Sequence, residues 1–181
     1  MMQMIRPLPW LITLWILWTS LALPINQSLC DRIDKKGKLQ VRDEDDLSEL
    51  CGCNELRELS YKKVKALNWP SCLPAMENLR TLSFSKTNIQ RLPEGLDQFV
   101  MIQELDLSFT KLVYLPESIQ NLYALKSLNL RGTEIVSLPE GLEHLETIDM
   151  RMIDLNRSDQ ENIRAQYPMV EIYFSSPCQC K

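Results

Sequence analysis

The chain has 181 residues, a length that fits one domain of ordinary size. Hydrophobic residues make up 45% and charged residues 24%, which excludes a wholly disordered chain. The net charge of -4 does not indicate nucleic-acid binding, and the sequence contains no GxGxxG or GxxxxGK[ST] motif. His144 is the only histidine, which excludes a two-histidine metal site and most histidine-dependent catalysis.

The first predicted element is a targeting segment at residues 1–22. Arg6 precedes an apolar run over residues 8–23 that contains no charge and is short for a membrane span of about 20 residues. The charged start, the compact apolar centre and the small residues Ser20 and Ala22 predict a signal peptide cleaved after Ala22. The alternative is an uncleaved signal anchor that ties the chain to a membrane. Both interpretations place the remaining residues outside the cytoplasm.

Residues 23–55 are predicted to form an N-terminal cap that contains cysteines. The segment from Arg42 to Leu50 is acidic at its start, and Leu47 would lie beside Leu50 on one side of a short helix. Carboxylates at this position favour a helix N-terminus through the helix dipole, and their spacing does not fit a calcium-binding EF-hand loop.

A repeat of 23 residues organises the middle of the chain. Leu82, Leu105 and Leu128 occupy the same position in three successive units with the pattern (L/I)xxLx(L/F)xxTx(I/L)xxLPxx(L/I). A weaker unit precedes them at residues 56–73 and a shortened unit follows, so that the repeats cover residues 56–155. The period of two in LxL and the proline after each repeated leucine exclude a single amphipathic helix.

This pattern resembles the leucine-rich repeat, LxxLxLxxNxL, of the LPxxL-containing class seen in plant resistance-type and scribble-type proteins. The usual asparagine is replaced by Thr87, Thr110 and Thr133, and threonine still hydrogen-bonds the turn backbone. The resemblance implies an α/β solenoid, a short curved horseshoe with parallel strands on its concave face and capped ends. Turns or short helical pieces would return along the convex side.

Residues 156–181 are predicted to close the solenoid. Ser158 and Glu161 have the spacing of a capping box, which predicts a helix that continues to about Gln166. Apolar residues alternate over residues 170–174, which predicts a final strand, and a short tail with two cysteines follows.

The six cysteines form two groups, an even number that is typical of exported disulfide-bonded proteins. Five stacked strands separate the two groups by roughly 20 Å, which excludes a shared metal site or a disulfide between them. The first group therefore pairs internally in one of three ways, and the second pairs with itself or with another chain. The first group contains Cys30, Cys51, Cys53 and Cys72, and the second contains Cys178 and Cys180. Cys51 and Cys53 also resemble the CxC motif of extracellular repeat N-caps.

Strand residues that point away from the core should line the concave face. Aromatic and arginine side chains are enriched at binding hot spots, so the prediction favours polar and aromatic positions of this face. The alternative is that each is a solvated strand position without a partner. The candidate binding residues are Lys62, Asp106, Phe109, Asn129, Arg131 and Arg151.

These features predict a secreted or cell-surface module that binds a protein through the concave face of the solenoid. Two alternatives are a secreted effector that modulates a host or immune receptor and a disulfide-linked structural or assembly protein. Neither an enzyme, a cofactor, a metal nor a nucleic-acid partner is predicted. His144 lies on the convex return and is expected to be a solvent-facing side chain with no functional role.

Overall fold

A computed structural model describes residues 28–42, 45–63, 70–92 and 95–176. The predicted signal peptide, Cys178 and Cys180 lie outside these residues. Within the described ranges, none of the helices combines the length and the hydrophobicity that crossing a bilayer requires.

Seven parallel strands form one sheet in the order of the chain. The strands are β1 (Lys38–Val41), β2 (Glu58–Tyr61), β3 (Thr81–Ser83), β4 (Glu104–Asp106), β5 (Ser127–Asn129), β6 (Thr147–Met150) and β7 (Glu171–Phe174). Short 3₁₀ helices follow several strands on the opposite side, at Leu73–Ala75, Leu96–Gln98 and Glu117–Asn121. The prediction of an α/β solenoid built from parallel strands and short helical returns is therefore confirmed.

The core consists of the inward side chains of successive strands, stacked in register. Side by side at paired positions of neighbouring strands lie four leucines, each at most 1% exposed: Leu59, Leu82, Leu105 and Leu128. Two residues further along each strand, a second stack begins with Tyr61, whose ring lies 4.9 Å from that of Phe84. No single repeat buries its apolar face alone, so stacking is what gives the chain a continuous core.

The three threonines of the repeat are buried and hydrogen-bond the turn after each strand, as the sequence predicts. Each hydroxyl donates to the backbone carbonyl three residues earlier, which gives the buried hydroxyl a hydrogen-bond partner. The bonds run from Thr87 to Phe84, from Thr110 to Leu107 and from Thr133 to Leu130, at 2.6, 2.8 and 2.7 Å.

The N-terminal cap contains a strand that is not predicted from the sequence, β1, which pairs with β2. The short acidic helix predicted from Arg42 is present as a 3₁₀ helix, which spans Leu47–Gly52 and so begins later than predicted. Its start is set by Asp46, whose carboxylate accepts the Ser48 amide at 3.0 Å.

One disulfide lies within the cap, and a second joins the cap to the first repeat. One links Cys30 to Cys53, with Cα atoms 5.1 Å apart, and the other links Cys51 to Cys72, at 5.5 Å. This is one of the three pairings that the sequence leaves open.

The C-terminal cap contains helix α1 (Arg157–Gln166), followed by β7 alongside β6. The predicted capping box at Ser158 is wrong, because Asn156 caps the helix two residues earlier. The side-chain oxygen of Asn156 accepts the Asp159 amide at 2.9 Å, and asparagine is among the preferred N-cap residues.

His144 is exposed, as expected, but it also contacts the backbone of two repeats. Its two ring nitrogens lie 3.1 Å from the carbonyl oxygens of Gly141 and Leu122. Because these carbonyls belong to successive repeats, the exposed imidazole links one convex return to the next.

Candidate binding face

The parallel register aligns the outward side chains of the seven strands into columns. The central column is uncharged on the first three strands, whereas the last four strands contribute two carboxylates, an amide and an aromatic ring. It contains Gln40, Ser60, Ser83, Asp106, Asn129, Asp149 and Tyr173.

Four members of this column also shape the backbone, and the longest of their bonds, from the Ser85 amide to Ser83 Oγ, is 3.4 Å. Each side-chain oxygen accepts the amide two residues ahead, which turns the chain out of the strand. Asp106 accepts from Ser108 at 3.0 Å, Asn129 from Arg131 at 3.1 Å and Asp149 from Arg151 at 3.0 Å. Two predicted binding residues, Asp106 and Asn129, therefore have a structural role as well as a position on the concave face.

One residue further on, every described repeat adopts a left-handed backbone. The φ angles are 54° at Lys63, 60° at Lys86, 56° at Phe109, 65° at Gly132 and 60° at Met152. Only one of these five is glycine, the residue that takes this conformation without a steric penalty. The repeat geometry thus imposes backbone strain at the four residues that are not glycine, just after the end of each strand.

Phe109 lies at the centre of a cluster that this geometry creates. A Cβ at Gly132 would come within 2.8 Å of the Phe109 Cδ1 atom, so the ring rests over the glycine backbone. The Arg131 guanidinium carbon lies 5.7 Å from the ring centroid, in the range of a cation–π contact. Arg131 Nε lies 3.2 Å from Met152 Sδ, and Phe109 remains 40% exposed.

A second arginine–aromatic pair lies on the last two strands. Arg151 binds Asp149 with both its Nε and its Nη2 atoms, and its guanidinium carbon lies 5.8 Å from the centre of the Tyr173 ring. The hydrogen bonds from Arg151 hold the pKa of the Asp149 carboxyl below its usual value. Tyr173 is 41% exposed, so this pair continues the aromatic and cationic surface beyond Met152.

The structure thus brings five of the six predicted binding residues onto neighbouring strands. Lys62 follows β2 and is exposed, but β3 lies between it and Asp106 in β4, so the two residues are two strand spacings apart, roughly 10 Å.

Two further residues belong to the same surface and were not among the candidates. Met152 occupies the repeat position of Phe109, and Tyr173 points outward in the alternating final strand. Both positions were visible in the sequence, the first in the repeat alignment and the second in the alternation over residues 170–174.

The face offers shallow depressions with mainly polar linings rather than an enclosed cavity. One of about 320 Å³ is lined by residues that include Thr81, Glu104 and Ser127, and one of about 240 Å³ by Thr147, Asp149 and Tyr173 among others. Ligand pockets for small molecules are mostly apolar and bury most of their ligand. In the part of the chain that the structure describes, no three His, Cys, Asp or Glu side chains are grouped to hold a metal ion. This surface is therefore better suited to contact with another macromolecule than to enclosing a small ligand.

Comparison with known proteins supports the repeat architecture. The family described as Leucine Rich Repeat matches residues 101–122. A solved structure of a leucine-rich repeat protein from Leptospira interrogans is similar in fold, with a TM-score of 0.57 and 22% sequence identity. The similarity covers 77% of this chain and 38% of that chain, so this chain spans less than half the length of its structural relative. No curated protein matches the chain.

Proposed function

Because the chain is a leucine-rich repeat protein, we propose that it is a secreted or cell-surface module that binds a protein partner through its concave face. The observation that carries this proposal is the cluster of Phe109, Arg131 and Met152. Phe109 is 40% exposed and Met152 57% exposed, although each is held in place by contacts with neighbouring repeats.

The chemistry of the cluster supports a protein partner. Exposed aromatic, methionine and arginine side chains are enriched in protein interfaces, and a few of them supply most of the binding energy. Arg131 stacks on an aromatic ring, and among the described residues no carboxylate lies within ion-pair distance of it. A partner that presents an acidic side chain next to an apolar one would complement both Arg131 and Phe109.

Two features support export. The predicted signal peptide would direct the chain out of the cytoplasm. The disulfides Cys30–Cys53 and Cys51–Cys72 belong to a cysteine usage that persists in oxidising compartments.

The test compares partner capture by the purified chain and by face variants. Material from the chain's own extracellular environment is passed over the wild-type chain and over Phe109→Ala or Arg131→Ala. Proteins retained by the wild type should be lost, or bound at least about tenfold more weakly, by both variants. Tyr123→Ala and Arg157→Ala are matched controls, because both residues are exposed and lie outside the concave face. Equal affinity for all five chains would refute binding through this cluster.

Gly132→Ala tests whether the position of the ring matters, without removing it. The added Cβ would meet the Phe109 ring at 2.8 Å and displace it, so we expect weaker binding with a folded chain. Gly141→Ala is the matched control: it also has a positive φ angle, 85°, and its added Cβ would meet Gln120 instead. A loss of affinity in both variants would indicate general destabilisation rather than a role for the ring.

A further inference from the structure

The two ends of the sheet expose different backbone edges. In a parallel sheet, alternate residues of a strand direct their N–H and C=O groups to opposite neighbours. The Glu171 amide donates to the Glu146 carbonyl at 3.0 Å, so Glu171 and Tyr173 face β6. Ile172 and Phe174 therefore direct their backbone groups away from the sheet.

The N-terminal edge is closed by the chain itself. The outward groups of β1 belong to Lys38 and Gln40. The Lys38 amide donates to the Asp34 carboxylate at 2.9 Å, and the Lys38 carbonyl accepts the Asp34 amide at 3.0 Å. The Gln40 carbonyl accepts a hydrogen bond from Arg32 Nη2 at 2.8 Å. These bonds occupy three of the four outward backbone groups, and a strand from another molecule would have to displace them.

The C-terminal edge has no comparable cover among the described residues. No hydrogen bond from outside the β6–β7 ladder reaches the backbone of Ile172 or Phe174 in that part of the chain. Both side chains are only partly buried, whereas Ile148 and Met150 at the same positions of β6 are at most 1% exposed. Arg164 covers part of the Phe174 ring, with its guanidinium carbon 5.2 Å from the ring centroid.

We propose that β7 is a dimerisation edge and that its occupant is β7 of a second copy of this chain, in antiparallel orientation. Ile172 lies opposite the partner's Phe174, Phe174 opposite the partner's Ile172, and Tyr173 meets the partner's Tyr173 on the two-fold axis. This register places the outward backbone groups of both chains opposite each other, which forms four interchain hydrogen bonds.

Two observations and one consequence of the pairing favour a second copy. The closed β1 edge disfavours head-to-tail addition, so growth stops at a symmetric pair. Ile172 and Phe174 lie on the core side of the sheet, and each covers the other across the axis. The antiparallel pairing also protects a strand edge that would otherwise remain a template for unspecific pairing.

Cross-linking tests the register. Antiparallel residues in a non-hydrogen-bonded pair have Cα atoms about 4.5 Å apart, within the range of a disulfide. In a Cys178→Ser, Cys180→Ser background, Tyr173→Cys should therefore give a covalent dimer on a non-reducing gel after mild oxidation. Glu171→Cys is the matched control, because the axis places it opposite the partner's Ser175 and far from its own counterpart. Cross-linking by Glu171→Cys in place of Tyr173→Cys would overturn the register.

Sedimentation velocity of the purified chain over a range of concentrations tests the dimer itself. Ile172→Pro removes an outward N–H that the monomer does not use, and proline is tolerated on an edge strand. We expect it to raise the dimer dissociation constant at least tenfold. Gln40→Pro makes the same change at the closed edge and should leave dimerisation unchanged. If Ile172→Pro impairs folding, Ile172→Lys replaces it, since an inward charge also disfavours edge pairing.

The proposal is overturned if the chain sediments as a monomer at every concentration, or if its dimer survives both Ile172 variants. It is also overturned if the full chain is monomeric and deletion of residues 177–181 produces the dimer, because the chain's own tail would then occupy the edge. None of these results depends on the function of the concave face.

Discussion

Substitution of Lys86 by glycine should stabilise the protein, although it removes a side chain. Lys86 has a φ angle of 60° and is exposed. Its amide donates to the Ser108 carbonyl at 2.9 Å, a bond that glycine retains. The change therefore relieves backbone strain without deleting a core contact.

The expected magnitude follows from two opposing contributions. A left-handed backbone costs a residue with a Cβ about 1–2 kcal/mol. Glycine loses more conformational entropy on folding, which costs about 0.5–1 kcal/mol. The free energy of unfolding should thus increase by about 0.5–1 kcal/mol, which corresponds to a rise in melting temperature of about 1–4 °C for a chain of this size.

Urea unfolding of wild type and variant, with the disulfides intact, measures this difference. Lys111→Gly is the matched control, because Lys111 is also exposed and is not among the residues with a positive φ angle. There, only the entropic cost applies, and stability should fall by about 0.5–1 kcal/mol. If Lys86→Gly destabilises the protein as much as Lys111→Gly does, the strain at this repeat position is refuted.

Three further predictions concern buried polar groups and pH. Tyr61→Phe should raise the free energy of unfolding by about 1 kcal/mol and so raise the urea midpoint, because the buried hydroxyl has no hydrogen-bond partner among the described residues. A loss of stability would contradict this. Thr110→Val should cost about 1–3 kcal/mol, since the buried Leu107 carbonyl loses its bond at 2.8 Å, and an unchanged midpoint would show that the bond contributes little. Arg151 holds the pKa of Asp149 low, so the carboxylate adds stability that is present above about pH 4 and is lost as the pH falls through the lowered pKa. Urea midpoints between pH 6 and pH 2 should therefore depend less on pH in Arg151→Ala than in the wild type.

The sequence was sufficient to predict the features that repeat. Leu82, Leu105 and Leu128 recur at a constant spacing, and only stacked parallel strands bury all of them on one side. The part played by Thr110 and its equivalents could also be predicted, because a hydroxyl at the start of a buried turn has the turn carbonyl within reach.

The ends could not be predicted in the same way, because they occur once and have no internal alignment. Strand β1 has only four residues, and its outer edge is closed by Arg32 and Asp34, which lie before it in the chain. The competition between Asn156 and Ser158 for the helix cap depends on which side chain reaches the Asp159 amide. Such outcomes are decided by local geometry that composition does not specify.

The candidate face shows why residue type alone was an incomplete guide to function. Asp106 and Asn129 are polar residues of the concave face, yet their side chains accept hydrogen bonds from the amides of Ser108 and Arg131 and so form the turn. They would contribute to partner binding indirectly, because they position the residues that follow them. Substituting either one would change the backbone and the surface together, which makes them poor probes of binding.

Phe109 is a better probe, but not because its backbone is strained. Strain at a single residue is often taken to indicate function, since it persists only where the surrounding structure maintains it. Here Lys63, Lys86 and Met152 share the same left-handed conformation, so the strain belongs to the repeat. What distinguishes Phe109 is that the next repeat has glycine at this position, which lets the ring rest on its backbone beside Arg131. The combination of an exposed ring, a glycine that makes room for it and an arginine that stacks on it occurs once on the described face, and it is this combination that marks the binding site we propose.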